Sequence, residues 1–297
     1  LYSKWIGGSL PTDLKRYPDE VPANSPTLPV TTDLNFHLDA EALLRTNDGS
    51  RVYQWADRSS QERSFWQSET ARQPLLVPGA ANGRDVVRFD GVDDRFNDRI
   101  TLAAEGNNQI TVFAAVNPMA KGSWNYLLYQ SGNNYPQLGG DNNDRWGWNS
   151  QHSDWQSNGV LNGVSVGWQV VAGVYGGATR LYQSGSVTGS KLFVNGTIVG
   201  VGNHQSTVNG NPDGNSFFHK DNNFFKGEVG EILVFKKALT DAEMQQVEQY
   251  LYSKWIGGSL PTDLKRYPDE VPANSPTLPV TTDLNFHLDA EALLRTN

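Results

Sequence analysis

The sequence predicts an all-β fold: a two-sheet antiparallel sandwich with one C-terminal α-helix, flanked by Pro-rich linkers. Three observations predict it. About a dozen short runs of alternating apolar and polar residues are separated by Gly, Asn and Pro clusters, the pattern of half-buried strands joined by turns. One stretch, 239–255, carries both a helix start signal and an apolar stripe at helical spacing. Residues 1–47 return unchanged at 251–297, an offset of 250, so only one unit of sequence is unique. Identity over 47 consecutive positions is more than a shared fold imposes, because packing fixes patterns rather than residues. Either the chain is a window on a tandem array of near-identical modules, or the overlap was added by design or duplication. The array is the reading adopted.

In chain order, residues 1–6 (LYSKWI) read as the end of the preceding repeat's helix, because their second copy closes an intact one. There Thr240 can cap the first turn while Glu243 reaches back to the N–H of the cap. Leu239 and Met244 take the hydrophobic-staple positions. Met244, Val247, Leu251 and Trp255 form one stripe, and Gly257 can end the helix. Residues 7–30 hold Pro11, Pro18, Pro22, Pro26 and Pro29, and the two copies of this segment account for ten of the chain's 15 prolines. Such spacing rules out helix and central strand and predicts a semi-rigid spacer, up to roughly 75 Å long at about 3.1 Å per residue. Leu10, Leu14, Tyr17, Val21 and Leu28 imply that it lies partly against a domain.

From Thr31 the pattern turns to β. Leu34, Phe36 and Leu38 alternate with polar residues, and 39–44 is expected to form a short helical turn. Strands are expected at 52–55, 86–89, 110–116, 126–130, 168–175, 179–184, around Phe217–Phe218, and at 229–235. Residues 191–199 read as a hairpin, with Asn195 and Gly196 supplying the two positive φ angles of a type I′ turn. The domains expected are therefore 1–6, the end of one helix; 7–30, a linker; 31–256, the sandwich; 257–280, a second linker; and 281–297, the first strand of the next repeat.

Composition narrows the function. With no Cys there is no disulfide framework and no thiolate metal site. A net charge of −8 argues against a nucleic-acid partner, which needs a basic face. No apolar run is long enough for a membrane-spanning helix. The sequence opens without a signal peptide, so any export signal is expected outside this window. The 29 Gly and nine Trp suit a loop-rich β protein with a substantial core.

Tyr53-Gln54-Trp55-Ala56-Asp57, followed by 86–94 (VVRFDGVDD), resembles the opening half of the laminin-G-like, concanavalin A-like lectin/glucanase superfamily. The hairpin at 192–196, the segment 225–235 (FKGEVGEILVF) and the helix 239–255 resemble its closing half. The resemblance covers about 31–256. It implies a jelly-roll sandwich and says little about function. Modules of this kind are similar to those of large repetitive bacterial adhesins and secreted proteins, which implies an extracellular or cell-surface location.

Hydrolases of that superfamily carry a Glu-x-Asp-x-Glu strand that sets two carboxylates on one face, and no such array is present. Glu228 and Glu231 come nearest, but a separation of three is expected to put them on opposite faces of a strand, one as a surface charge. No catalytic residues are assigned, and the chain is read as a non-enzyme. Ca²⁺ is the cofactor the loops could hold, since it takes oxygen ligands from Asp, Asn and carbonyls. The candidate ligands are Asp90, Asp93 and Asp94, and Asn209, Asn211 and Asp213. In the second set Lys220 stands where a bidentate Glu is expected, and 141–144 (DNND) is a third candidate loop. The competing reading of all three loops is turn formation through local side-chain hydrogen bonds. Trp146, Trp148 and Trp155 with Asp141 and Asn143 could form a sugar-stacking platform, whereas alternating Trp146 and Trp148 could equally fill the core.

Two functions follow. The first is a structural repeat module of an extracellular fibre or adhesin, whose partners are identical neighbouring repeats of the same or other chains. The second is a carbohydrate-binding lectin domain. Because 31–47 and 281–297 are the same strand, the slot for it could be filled in cis or by exchange between modules.

Overall fold

The computed structural model describes residues 15–16, 26–45, 50–61, 64–96, 109–119, 124–130, 137–141, 143–149, 156–160, 167–176, 180–182, 185–187, 189–202 and 215–261. Strands numbered in chain order build two main sheets. The larger runs β16 (Thr197–Gly202), β15 (Ser190–Val194), β12 (Gln169–Tyr175), β7 (Ile110–Pro118), β20 (Lys226–Phe235), β2 (Leu34–Arg45), β3 (Val52–Asp57), β4 (Ser64–Trp66). The flank of β20 that β2 occupies near one end is taken by β6 (Arg84–Asp90) near the other, and β5 (Leu75–Ala81) pairs with β6. The two-residue β1 (Lys15–Arg16) pairs with the end of β2. The smaller sheet runs β11 (Gln156–Val160), β10 (Arg145–Asn149), β9 (Gln137–Gly140), β8 (Asn125–Gln130), β17 (Asn215–Phe217). Two short ribbons complete it: β13 (Arg180–Tyr182) with β14 (Gly185–Val187), and β18 (His219–Lys220) with β19 (Asn223–Phe224).

The alternation read from the sequence sets the core. Phe36, Leu38 and Ala40 of β2 turn inward with Val112, Ala114 and Val116 of β7, all buried. Phe36 meets Phe65 and Phe217, both with ring centroids 5.4 Å away, so residues of the two sheets interlock. Trp55, Phe89 and Phe218 form a second aromatic group. Phe218 lies 4.0 Å from Phe89 in a stacked arrangement, although its φ of 68° is strained for a bulky residue. Burial of the three rings, at about 1.5–3 kcal/mol each, together outweighs strain of about 1–3 kcal/mol at the one backbone position. Trp148 of β10 sits directly over Gly173 of β12, where any Cβ would collide with the indole. The Asn195–Gly196 turn has φ angles of 47° and 80°, as the hairpin required.

Helix α1 (Asp241–Trp255) begins with the expected capping box: the Glu243 N–H donates to Thr240 Oγ1, and the Thr240 N–H donates to Glu243 Oε2. Its stripe of Met244, Val247, Leu251 and Trp255 is buried on the outer face of the large sheet. Trp255 lies over Gly230 and stacks on Trp168, with centroids 6.0 Å apart. Gly257, at φ 95°, follows the last turn.

Two expectations are corrected and a third is met. Residues 39–44 are strand rather than helical turn: pairing with β3 jumps from Leu38↔Asp57 to Leu43↔Trp55, so the extra residues are absorbed as an irregularity within the strand. The slot for β2 is interior, between β20 and β3, and not an edge; the first copy of the strand fills it. The proline-rich stretch touches the domain at two places, β1 and the segment ending in buried Val30, with Leu28 against the core.

Candidate functional site

The loop after β6 turns on its own side chains. Asp90 Oδ1 accepts from the N–H groups of Val92 (2.7 Å) and Asp93 (3.3 Å), and Asp94 Oδ2 accepts from the Asp90 N–H (2.8 Å). Gly91 takes φ 80° with Lys226 Cβ 2.6 Å from where its own Cβ would be, so the turn needs glycine there. The turn draws carboxylate oxygens of Asp90, Asp93 and Asp94 to within 4.8 Å of one another. Burial pushes the Asp94 carboxyl up to about 6. The Asp90 N–H opposes the shift, the Asp90 and Asp93 charges add to it, and Arg51 partly relieves it. The donor set is all oxygen and carries surplus negative charge, which fits a hard divalent cation.

The other predicted sites fare differently. Asn209, Asn211, Asp213 and Trp155 lie outside the described residues. Asp141 is buried; its Oδ1 accepts from the Asn143 and Arg145 N–H groups, and its Oδ2 accepts from Arg145 Nε at 2.9 Å. Both oxygens are occupied in bracing the turn before β10, so neither a cation nor a sugar hydroxyl finds Asp141 open. Asn143 is exposed on that turn. Trp146 and Trp148 are 0% exposed. Their indole N–H groups donate to Gln169 Oε1 (2.7 Å) and to the Val174 carbonyl (3.2 Å), tying the two sheets together. They share one sheet face, but it is the inner one, so a sugar cannot stack on them and the core reading holds.

Glu228 and Glu231 are not on opposite faces. Glu228 pairs with Asn117 and Glu231 with Ala115, two residues apart on β7, so a bulge at Gly230 returns both to one side of the sheet. Nor is Glu228 a surface charge. It is buried, ion-paired with Arg88 and bound by Asn117 Nδ2 at 2.9 Å.

Sequence reasoning missed the most elaborate polar cluster, which lies beneath α1. Glu231, 0% exposed, accepts from His37 Nε2 (2.6 Å), Tyr250 OH (2.9 Å), Lys254 Nζ (2.9 Å) and Trp255 Nε1 (2.8 Å). Asp39, also 0% exposed, binds Lys254 Nζ at 2.7 Å and pairs with Arg58, and Arg84 closes on Glu41 at 2.7 Å. Burial alone would raise the Glu231 carboxyl; the charges of and hydrogen bonds from Lys254 and His37 outweigh it and hold it well below the ordinary carboxylate range. Lys254 moves the other way and is raised, burial being outweighed by Glu231 and Asp39. His37, Asp39 and Glu231 have a spacing that could hold a metal, yet the Lys254 ammonium already supplies the cation between the two carboxylates. The signal in the sequence was the alternation Asn35, His37, Asp39, Glu41, four polar residues opposite the inward row of β2.

An aromatic row lies on β8 and just before it, with Trp124 and Tyr129 half-buried and Tyr126 buried between them. Trp124 stacks on Tyr126 (5.7 Å, 4° between planes), and Tyr129 meets Tyr126 edge-on at 5.9 Å. Burial, Tyr129 and Asp221 push the Tyr126 hydroxyl up to about 12. Asn125 joins this row to the Asp90 loop, because its side chain bonds the backbone of Lys226, whose own neighbours across the ladder are Asp90 and Gly91. Beside the helix a groove of about 730 Å³ runs between α1, Pro26–Pro29 and Leu260–Pro261.

A family model described as the concanavalin A-like lectin/glucanases superfamily matches residues 90–245. No curated protein matches the sequence. Among solved structures, the sialidase of Trypanosoma rangeli in complex with sialic acid is 15% identical at a TM-score of 0.46, over 82% of this chain and 36% of that one. Domain 4 of a GH43 extracellular arabinanase from Geobacillus stearothermophilus, in complex with arabinotriose, is 15% identical at a TM-score of 0.42, over 73% and 98%. The binding domain of botulinum neurotoxin serotype D/C is 11% identical at 0.41, over 74% and 53%. The chain spans about a third of the length of the sialidases it matches. Likenesses of this extent transfer no residue roles.

Proposed function

Since the chain belongs to the concanavalin A-like lectin/glucanases superfamily, we propose that it is a non-catalytic structural module of a tandem array in an extracellular fibre or adhesin, with identical modules as its neighbours. One observation carries this reading. The duplicated segments supply two parts of a single closed domain: the first copy gives β2, the second gives the last turns of α1, and Lys254 joins them through Asp39. The period of 250 therefore spans one self-completing sandwich, and each extra copy opens the next. The absence of a catalytic role is supported by the commitment of Glu228 and Glu231 to Arg88 and Lys254. Ca²⁺ at Asp90, Asp93 and Asp94 belongs to the same proposal, as a brace for the turn between β6 and the rest of the module. Electron microscopy of the native assembly tests the reading: a row of identical globules is expected, and isolated single globules sink it.

A second reading, carbohydrate binding, is favoured by the Trp124–Tyr126 stack with Tyr129 and Asp221 beside it, an aromatic face next to a carboxylate. This surface replaces the Trp146–Trp148 platform. Glycan-array binding that is lost in Trp124→Ala supports it, and a silent array at high protein concentration removes it.

A further inference from the structure

We infer that successive modules abut head to tail, joined by a tether of only three residues, and that the uncharged groove beside α1 is the seat of the next module. The inference rests on the array reading above. Lys15 and Arg16 pair antiparallel with Arg45 and Leu44, at the far end of β2. The same stretch reappears as Pro26–Val30 at the near end of β2, with Val30 buried and the Leu34 N–H donating to Thr31 O. The described parts of the incoming spacer thus sit at the two ends of β2, about 35 Å apart allowing for the irregularity near its middle. The chain leaves from that near end too. The Leu260 N–H donates to Gln249 Oε1 at 3.0 Å, and Leu260 and Pro261 line the groove with Pro26 and Pro29. Each module is therefore entered at one pole and left from the other.

The repeat then fixes the spacing. Lys265 and Arg266 are the second copies of Lys15 and Arg16, and in the array they take the same place on the next module. Pro261 is held by one module and Lys265 by the next, leaving no more than Thr262, Asp263 and Leu264 between them. Four residue steps reach at most about 14 Å. Two bulky domains on so short a tether must touch. The face at that junction suits a like-charged neighbour: none of the eleven residues lining the groove is charged, in a chain of net charge −8. Gln245, Gln246 and Gln249 offer amides for polar contacts, and Tyr250 and the prolines offer apolar surface.

The test is the centre-to-centre spacing of modules in the native array, by electron microscopy or small-angle scattering. A module of this size is about 45 Å across, so abutment predicts a regular repeat of about 40–55 Å. An extended spacer predicts about 120 Å or a broad distribution, and either of those overturns the inference while leaving the array intact. Absence of any row of identical globules overturns the array reading itself, and this inference with it. As a second measurement, inserting about ten Gly and Ser residues after Pro261 separates the groove from the tether: an unchanged repeat of about 40–55 Å is expected where the groove holds its neighbour, and a lengthened, broadened distribution removes the groove as the seat.

Discussion

Asp39 and Asp289 are the same residue of the repeat, and the fold gives Asp39 a part in closing this domain. Asp39→Asn removes the charge that Lys254 Nζ meets at 2.7 Å and that Arg58 also binds, in a place with no access to water. Lys254 is then left against Glu231 alone among its close hydrogen-bonded carboxylates, with Glu41 farther off at 3.6 Å. Breaking a buried pair by removing one partner costs about 3–5 kcal/mol. In a domain of this size each kcal/mol lowers the melting temperature by about 2–4 °C, so a fall of about 6–20 °C is expected. Asp289→Asn in an otherwise unchanged chain should leave the melting temperature within about 2 °C. Thermal unfolding followed by circular dichroism reads both. Equal effects at the two positions, or no effect at position 39, would refute the reasoning, because the second copy would then be filling the slot by exchange. Asp39→Asn in a Lys254→Met background should cost distinctly less than in the parent, since the two residues share one interaction.

Other outcomes follow from single features. The ionised form of Glu231 is favoured in the folded state, so its contribution is complete above pH 4.5 and is lost as the pH falls toward its depressed folded value; Glu231→Gln should flatten the stability profile between pH 4.5 and 3 by up to about 1.4 kcal/mol per pH unit in urea titrations. Asp94 is raised instead, so ionising it costs the folded state stability above about pH 6; Asp94→Asn should raise the melting temperature at pH 7.5 in chelator and abolish any Ca²⁺-induced rise, and a Ca²⁺ shift that survives the substitution rules this loop out as the cation site. Thr240→Ala removes one half of the capping box and should lower stability by about 1 kcal/mol; an unchanged unfolding midpoint would count against the cap. Gly230→Ala puts a Cβ 2.5 Å from the Trp255 ring, against a loss of about 1–3 kcal/mol on overpacking, read by chemical denaturation with Trp fluorescence.

What could be read from the sequence was what is decided locally. The Asn195–Gly196 turn, the Thr240–Glu243 cap and the Met244–Val247–Leu251–Trp255 stripe each depend on residues within a few positions of one another, and each is present. The pairing of Trp146 with Trp148 on one face was equally legible, since it follows from strand periodicity. Which side of the sheet that face looks toward was not, because it depends on Gly173, distant in sequence, leaving room for an indole. The relation of Glu228 to Glu231 failed for a related reason: counting residues presumes an unbroken ladder, and the bulge at Gly230 adds one. His37, Asp39 and Glu41 alternate as a solvent-facing row would. Only the docking of α1, assembled about 200 residues later, turns that row into an interior.

The same remoteness bears on how the array avoids joining the wrong halves. Within the repeat each Asp39 has two candidate ammonium partners in sequence, Lys4, 35 residues before it, and Lys254, 215 residues after it. Loop closure alone favours the nearer by about 1.6 kcal/mol. The fold takes the farther one, and the ion pair cannot be the reason, since both lysines are chemically identical. The difference lies in what is attached. Lys254 arrives on a helix whose Met244, Val247, Leu251 and Trp255 are buried against β7, β12 and β20 of the domain that Glu231 belongs to. Leu251 and Trp255 have copies at Leu1 and Trp5, but Met244 and Val247 have none upstream in this sequence. At about 1.5–3 kcal/mol per buried side chain those two together exceed the entropic preference. What distinguishes the two copies in this chain is therefore carried by residues of the unique stretch 48–250, and not by the duplicated residues that make the closing contact.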